Sequence, residues 1–207
     1  MTQYLFSRIA RSMGFCGAIA VISAGLAATP ALADTTAVDT SSCTAPQLSQ
    51  PFLSAKDSGW YTLAPGESVD SFGGGGWTLS GGASIETTQL ADGSTGQVLN
   101  LPSGSKAVSP VMCVDDGYQT ARTEVRDLVG SEGVFFYISY EGTNTWTNPQ
   151  NSGQVHGQQT NWTLSDPVNV QPSNTTGWQL VRFTFEPGGN HSDFQIYNFW
   201  VDPRMHS

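Results

Sequence analysis

Two short stretches of the chain carry residue types that could perform proton-abstraction chemistry. The first reads Arg122-Thr123-Glu124-Val125-Arg126, and the second reads Gln154-Val155-His156. An arginine can neutralise a substrate carboxylate, a glutamine can share it, and a histidine or tyrosine can remove the acidified proton next to it. Arg122, Gln154 and His156 are therefore a candidate catalytic set. The plainer interpretation makes the first stretch an exposed ladder of charges on a strand.

Aromatic residues in polar stretches point to binding instead. Trp146 and Trp162 lie within EGTNTWTNPQN and QQTNWT. Sugars stack their apolar faces on such rings, while polar side chains bind the hydroxyl groups. The other tryptophans of the mature chain lie in strand patterns and are expected in the core: Trp60, Trp77, Trp178 and Trp200. The predicted ligand-binding set, which could share one sheet face, is Arg122, Arg126, Tyr137, Trp146, Trp162 and Arg182.

Other catalytic classes have weaker support in the sequence. A glycosidase needs two carboxylates about 5–10 Å apart, and Glu124, Glu141 and Glu186 qualify only by lying on or beside predicted strands. The chain contains no G-x-S-x-G and no H-E-x-x-H motif. The glycine run at 73–76 is not followed by Gly-Lys-Ser/Thr, so it is not a phosphate-binding loop.

The candidate residues are positioned by a predicted hairpin between Ala121 and Glu141. Arg122, Glu124 and Arg126 alternate with Thr123 and Val125, which is the period of a strand with two different faces. The segment VGSEG reads as a glycine-containing turn, and VFFYISYE reads as a second alternating strand.

About ten short strands separated by turn signals, with no convincing amphipathic helix, predict an all-β domain. Several strands are apolar on one face only, which favours an antiparallel β-sandwich of two sheets. The final strand, DFQIYNFWV, is apolar on both faces and is expected in the middle of its sheet. The segment from Gly142 to Gly177 is expected to be mostly loop with short edge strands.

The N-terminal residues have the pattern of a secretory signal peptide. Arg8 and Arg11 precede a small, apolar run from Met13 to Ala28, and Ala31-Leu32-Ala33 resembles a cleavage site. The predicted organisation is a signal peptide at 1–33, a disordered lead-in at 34–42 and a β-sandwich domain at 43–207. The protein is therefore expected outside the cell, with no membrane span after cleavage.

The net charge of the mature chain excludes some classes of binding partner. Removing the two arginines of residues 1–33 leaves six basic against seventeen acidic residues, a formal charge of −11. A nucleic acid or an anionic membrane surface needs a cationic footprint, so neither is an expected partner.

Cys43 and Cys113 are the two mature cysteines, and export makes a disulfide between them plausible.

The pattern from Cys43 to Arg204 resembles a group of secreted, largely uncharacterised bacterial β-sandwich proteins. The landmarks include Trp60-Tyr61-x-Leu63-Ala64-Pro65-Gly66, Gly76-Trp77-x-Leu79-Ser80-Gly81-Gly82-Ala83 and Ser109-Pro110-x-x-Cys113-Val114, with Val201-Asp202-Pro203-Arg204 at the end. The resemblance implies a jelly roll similar to carbohydrate-binding modules. Where such modules commonly end in W-x-I-D-D-x-x-V-D-P, this chain has Phe194-Gln195-Ile196-Tyr197-Asn198, without the acidic pair.

The stretches Arg122–Arg126 and Gln154–His156 also look like two of the three motifs of jelly-roll alginate lyases, R-[ST]-E-L-R and Q-[IV]-H. The third motif, Y-F-K-A-G-x-Y-N-Q, is missing.

The sequence thus predicts a non-catalytic domain that binds a carbohydrate or a cell-envelope component. The alternatives are a polysaccharide lyase or other glycan-active enzyme, and a structural or adhesive domain without a small ligand. No cofactor is expected, and structural calcium is left open.

Overall fold

The structure is a computed structural model, and it describes residues 38–115, 120–170 and 177–202. The predicted signal peptide lies outside these residues, as does the start of the predicted lead-in. A short 3-10 helix spans Leu53–Ala55. The strands are β1 (Thr62–Leu63), β2 (Thr78–Ser80), β3 (Ser84–Gln89), β4 (Thr95–Pro102), β5 (Lys106–Val108), β6 (Met112–Val114), β7 (Thr120–Val129), β8 (Val134–Tyr140), β9 (Gln150–Val155), β10 (Thr163–Leu164), β11 (Val168–Asn169), β12 (Gln179–Pro187) and β13 (Asp193–Asp202).

The strands form two antiparallel sheets packed as a sandwich, which confirms the predicted fold class. The first sheet has the order β10-β7-β13-β4-β3, with β1 added on β13 and β11 on β7. The second sheet has the order β2-β5-β12-β8-β9, with β6 added on β12. The final strand β13 lies between β7 and β4, so its two apolar faces place it centrally as expected.

The core is centred on phenylalanines that both sheets contribute. Phe199 of the first sheet lies 5.2 Å from Phe183 and 5.1 Å from Phe185 of the second sheet, measured between ring centroids. Phe136 of β8 lies 5.6 Å from Phe199. All four rings are fully buried, and such burial stabilises the fold by roughly 1.5–3 kcal/mol for each side chain. The alternating apolar rows of the sequence are thus the inner faces of the sheets.

The predicted hairpin between β7 and β8 is wrong. β7 pairs with β13 in the first sheet, whereas β8 pairs with β12 in the second, so residues 130–133 cross from one sheet to the other. Gly130 and Gly133 have φ values of 88° and 77°, a region that favours glycine. A short glycine turn is compatible with either connection, so the sequence does not distinguish a hairpin from a crossing between sheets.

Cys43 and Cys113 form the disulfide, as predicted. Cys113 lies on β6 and is the register partner of Leu180 on β12. The bond therefore ties the start of the domain to the second sheet. Within the described residues, no helix has the length and apolar character needed to cross a bilayer.

Replacing both cysteines, as Cys43→Ala/Cys113→Ala, should lower the free energy of unfolding by up to about 4 kcal/mol, because the cross-link removes closure entropy from the unfolded chain. The two cysteines are 70 positions apart, so the loop they close is long. Denaturant unfolding of the variant, with the wild type under reducing conditions as its control, measures the loss. Equal stability with and without the bond would contradict this role.

Candidate functional site

A β-bulge in β13 shapes the outer face of the first sheet. Tyr197 is the register partner of Glu124 and Trp200 that of Arg122, so three steps along β13 correspond to two along β7. In a regular strand, residues three apart point to opposite faces. The extra residue is Asn198, whose φ of 54° is left-handed. Tyr197 and Trp200 consequently both belong to the outer face.

These two aromatic residues form the floor of a pocket with a volume of about 320 Å³, which we call the β13 pocket. This volume lies at the lower end of the range of about 300–1,000 Å³ for small-molecule sites. The pocket lies between the sheet, the 3-10 helix segment, the loop at 69–70 and the turn at 91–92. Its lining comprises Pro51, Phe52, Ser54, Ala55, Val69, Asp70, Ala91, Asp92, Glu124, Leu164, Tyr197, Asn198 and Trp200.

Glu124 lies in the middle of this floor. It is the register partner of Tyr197 on one side and of Leu164 on the other. Burial raises the pKa of its carboxyl group, against the opposing charge of Arg122, and Asp70 raises it further. No hydrogen bond to this carboxylate comes from the described residues. A half-buried carboxylate of this kind is available to a ligand.

The two arginines of the predicted ligand set flank the pocket but are already paired. Arg122 forms an ion pair with Asp57, and its Nε donates to the Ser165 carbonyl oxygen at 2.9 Å. Burial opposes the ionisation of Asp57, but hydrogen bonds from Gly59, Tyr61 and Arg122 together hold its pKa below the usual value. The Arg122 guanidinium therefore fastens the segment that forms one pocket wall.

Arg126 is held in a similar way further along β7. Its Nη2 donates to Gln195 Oε1 at 2.6 Å and to Thr88 Oγ1 at 2.8 Å. The guanidinium lies 4.5 Å from the centre of the Trp162 ring. Trp162 packs edge-on against Tyr197 at 4.7 Å and donates its indole N–H to the Gln89 carbonyl oxygen at 2.9 Å. Arg126 and Trp162 thus support the pocket floor from outside the pocket.

The remaining members of the predicted set lie on the other sheet, so the expectation of a single shared face is wrong. Tyr137 and Arg182 belong to β8 and β12 of the second sheet. The Arg182 guanidinium lies 4.2 Å from the centre of the Trp146 ring. Because β7 and β8 belong to different sheets, Arg122, Arg126 and Trp162 are separated from Tyr137, Trp146 and Arg182.

The candidate catalytic set is not assembled either. Gln154 lies on β9 of the second sheet and donates to the Glu132 carbonyl oxygen at 3.2 Å. His156 precedes Gly157, whose N–H donates to Asp127 at 3.1 Å. Asp127 is five positions beyond Arg122 on β7, a distance of about 17 Å along a strand. Arg122, Gln154 and His156 therefore do not converge on one substrate position.

The buried carboxyl group of Glu67 stabilises the backbone of the bulge. Glu67 Oε2 accepts a hydrogen bond from the Phe199 N–H at 3.0 Å. The residue as a whole is partly exposed, but its carboxyl group is buried, and Oε1 has no partner among the described residues. Burial raises the pKa of Glu67 well above its usual value. Asp70 and Asn198 complete the support: Asn198 Nδ2 donates to Asp70 Oδ1 at 2.9 Å, and the Asp70 N–H donates to Asn198 Oδ1 at 2.8 Å.

Metal ligands do not cluster in the described part of the chain. Residues 38–115, 120–170 and 177–202 contain no group of three or more His, Cys, Asp or Glu side chains arranged to hold an ion. The structural calcium that the sequence leaves open stays untested.

Sequence reasoning missed the β13 pocket because it left Tyr197 out of the site and gave Trp200, which is buried as predicted, no role beyond the core. Trp200 is 5% exposed, but it packs with Phe52 and Tyr61 in a small cluster separate from the main core. Asn198 is the residue in the sequence that could have indicated the bulge. An asparagine between aromatic residues of an otherwise apolar strand is a candidate for a left-handed bulge position.

No family model matches this chain, and no curated protein matches it. Its structural neighbours include several carbohydrate-binding modules. A family 22 module joined to a GH10 module, from Clostridium thermocellum endo-1,4-beta-D-xylanase 10B in complex with xylohexaose, is 14% identical with a TM-score of 0.43. That match covers 61% of this chain, which spans only 26% of the xylanase fragment.

Two further neighbours are single modules from Clostridium thermocellum. The C-terminal family 22 module of xylanase 10B is 17% identical, with a TM-score of 0.43 and coverage of 70% of this chain and 94% of the module. A family 11 module in complex with a beta-1,3-1,4-mixed-linked tetrasaccharide is 9% identical, with a TM-score of 0.39 and coverage of 64% and 91%. The likeness concerns the fold alone.

Replacing the buried acid, as Glu67→Gln, should make the free energy of unfolding less dependent on pH. A raised pKa in the folded state means that folding takes up a proton. The stability from this group is therefore complete below the unfolded pKa and is lost as pH rises through the folded pKa. The amide does not titrate, so the stability of the variant relative to wild type should rise by about 1.4 kcal/mol per pH unit within that window.

Guanidinium unfolding of both proteins at several pH values tests this prediction. The other acids with shifted pKa values are common to both proteins, so their difference isolates Glu67. Glu141→Gln, beyond the end of β8, is the matched control and should keep the wild-type slope. Parallel curves for Glu67→Gln and wild type would refute a neutral Glu67.

Proposed function

We propose that this chain is an exported, non-catalytic binding domain that holds a carbohydrate unit of a cell surface or polysaccharide in the β13 pocket. The observation that carries the proposal is the pocket itself, with Tyr197 and Trp200 in its floor and unpaired polar groups beside them. Sugar rings need an apolar surface for their C–H faces together with acceptors and donors for their hydroxyl groups.

The polar groups around the pocket suit hydroxyl recognition. Glu124 offers two carboxylate oxygens that receive no hydrogen bond from the described residues, and Asp70 and Asp92 also line the pocket. The indole N–H of Trp200 is buried and lacks an acceptor among the described residues. Val69, which is 63% exposed, adds apolar surface at the pocket edge.

Binding is favoured over catalysis because the residues that could abstract a proton are dispersed. Arg122 is paired with Asp57, and Gln154 is hydrogen-bonded on the other sheet. Export is supported by the signal-peptide pattern of residues 1–33 and by the disulfide, a bond typical of oxidising compartments.

A bulky side chain at the pocket wall should abolish glycan binding. Ala55 is exposed and lines the pocket, so Ala55→Trp fills the opening without touching the main core. We expect a loss of at least about tenfold in affinity, equivalent to 1.4 kcal/mol. Wild type and variant are compared on a glycan array, and every hit is followed by calorimetric titration.

Trp146→Ala is the matched control, because Trp146 packs on the second sheet. It should bind glycans as the wild type does. If Trp146→Ala loses binding and Ala55→Trp keeps it, the site belongs to the second sheet. If the wild type binds no glycan, carbohydrate recognition is wrong and a structural or adhesive role gains.

A further inference from the structure

We propose that the unit bound in the β13 pocket carries a free ammonium group, which makes the ligand class an amino sugar with an unacetylated amine. This inference rests on the proposed function and specifies its substrate class. The carrying observation is a carboxylate that has no hydrogen-bond donor among the described residues and is set among aromatic rings. Glu124 lies in the floor between Tyr197 and Leu164, and none of the lysines, arginines and histidines that the structure describes lines the pocket.

The acidic side chains that line the pocket differ in the number of hydrogen bonds that they accept from the protein. Asp70 accepts a hydrogen bond from Asn198, and Asp92 accepts one from the Ser94 N–H at 2.8 Å. Glu124 receives none from the described residues and is the most enclosed of the three. A carboxylate withdrawn from water gains most from a ligand that brings both a positive charge and N–H donors.

The neighbouring cation, Arg122, acts on Glu124 through its charge but donates no hydrogen bond to it. Arg122 is adjacent to Glu124 on the same face, but its guanidinium is directed to Asp57 and to the Ser165 carbonyl oxygen. It lies over the Phe52 ring, 5.7 Å from the ring centre. Arg126 is bound by Gln195 and Thr88. Both guanidinium groups thus have other hydrogen-bond partners, and neither donates to Glu124.

The aromatic residues favour the same ligand. Phe52, Tyr197 and Trp200 all line the pocket. Such rings stack on the apolar face of a pyranose and also attract a cation through their quadrupole. An ammonium group on a sugar ring can therefore reach Glu124 while the ring lies against the aromatic floor. A neutral N-acetyl group would place an uncharged, bulkier substituent beside the carboxylate.

The charge of the whole chain supports capture of a polycation. The formal charge is −9 at neutral pH, with seventeen acidic residues against eight basic ones. A field of this sign concentrates cationic oligosaccharides near the surface and disfavours uronic-acid polymers. The long-range and the local electrostatics therefore select the same ligand class.

The test compares two oligosaccharides that differ only in acetylation. Tetramers of β-1,4-linked glucosamine and of β-1,4-linked N-acetylglucosamine are titrated calorimetrically into the full mature protein. The titrations are run at several pH values from mildly acidic to neutral, because the amines must be protonated while Glu124, whose pKa burial raises, must be ionised. We expect the glucosamine tetramer to bind at least about tenfold more tightly. This preference should shrink with added salt, because screening weakens the ionic contact.

Glu124→Gln should remove the preference for the amine while retaining the shape of the pocket. Glu141→Gln, on the other sheet, is the matched control and should retain it. Circular dichroism and thermal unfolding establish that both variants fold. Since the Glu124 carboxylate has no hydrogen-bond donor among the described residues, the amide replaces no paired charge.

The outcomes separate this inference from the proposed function. Equal binding of both tetramers, or a preference unchanged in Glu124→Gln, overturns the amino-sugar inference and leaves carbohydrate binding intact. If neither these tetramers nor any array glycan binds, both proposals fail. Binding of a lysine-rich peptide by a protein that ignores every glycan would also overturn both, because the cation would then belong to a protein partner.

Discussion

The single extra residue in β13 is the constraint on which the rest of the site depends. It allows Phe199 to enter the aromatic core while Tyr197 and Trp200 both remain on the outer face. A bulge leaves backbone groups that the ladder cannot pair. Here Glu67 accepts from the Phe199 N–H, and Asp70 and Asn198 hold each other through two hydrogen bonds. The loop that carries Glu67 and Asp70 thus both stabilises the bulge and walls the pocket.

The electrostatics of the outer face follow from the same geometry. Arg122 and Arg126 alternate with Glu124 on β7, and a sequence alone suggests that the three charges compensate one another. In the folded chain Arg122 is drawn to Asp57, which belongs to the segment after the 3-10 helix, and Arg126 is drawn to Gln195 of β13. The two arginines of the apparent ladder therefore have separate partners, and Glu124 is the member without a hydrogen-bond partner among the described residues.

The architecture could be predicted from the sequence because strands reveal themselves by the local alternation of apolar and polar residues. The structure confirms the alternating strands β7, β8 and β12 and the central position of β13. It also confirms the Cys43–Cys113 disulfide. The connection between β7 and β8 was predicted wrongly, since a short glycine turn does not reveal whether two strands pair or cross between sheets. That error also produced the wrong expectation that six candidate binding residues share one face. The pocket could not be predicted, because it requires four segments far apart in the chain to meet over one bulge.

The stability of the fold gives an independent reason to regard this face as functional. Burying a carboxyl group without full compensation costs free energy, and a glutamine would satisfy the Phe199 N–H equally well. Glu67 and Glu124 both have pKa values raised by burial, and they lie on the two sides of the same bulge. Perturbed acids concentrate where a site is arranged for a task, although structural networks also produce them. Glu124 feels the charges of Arg122 and Asp70 but has no hydrogen-bond donor among the described residues, and a bound cationic ligand would offset the cost of its burial.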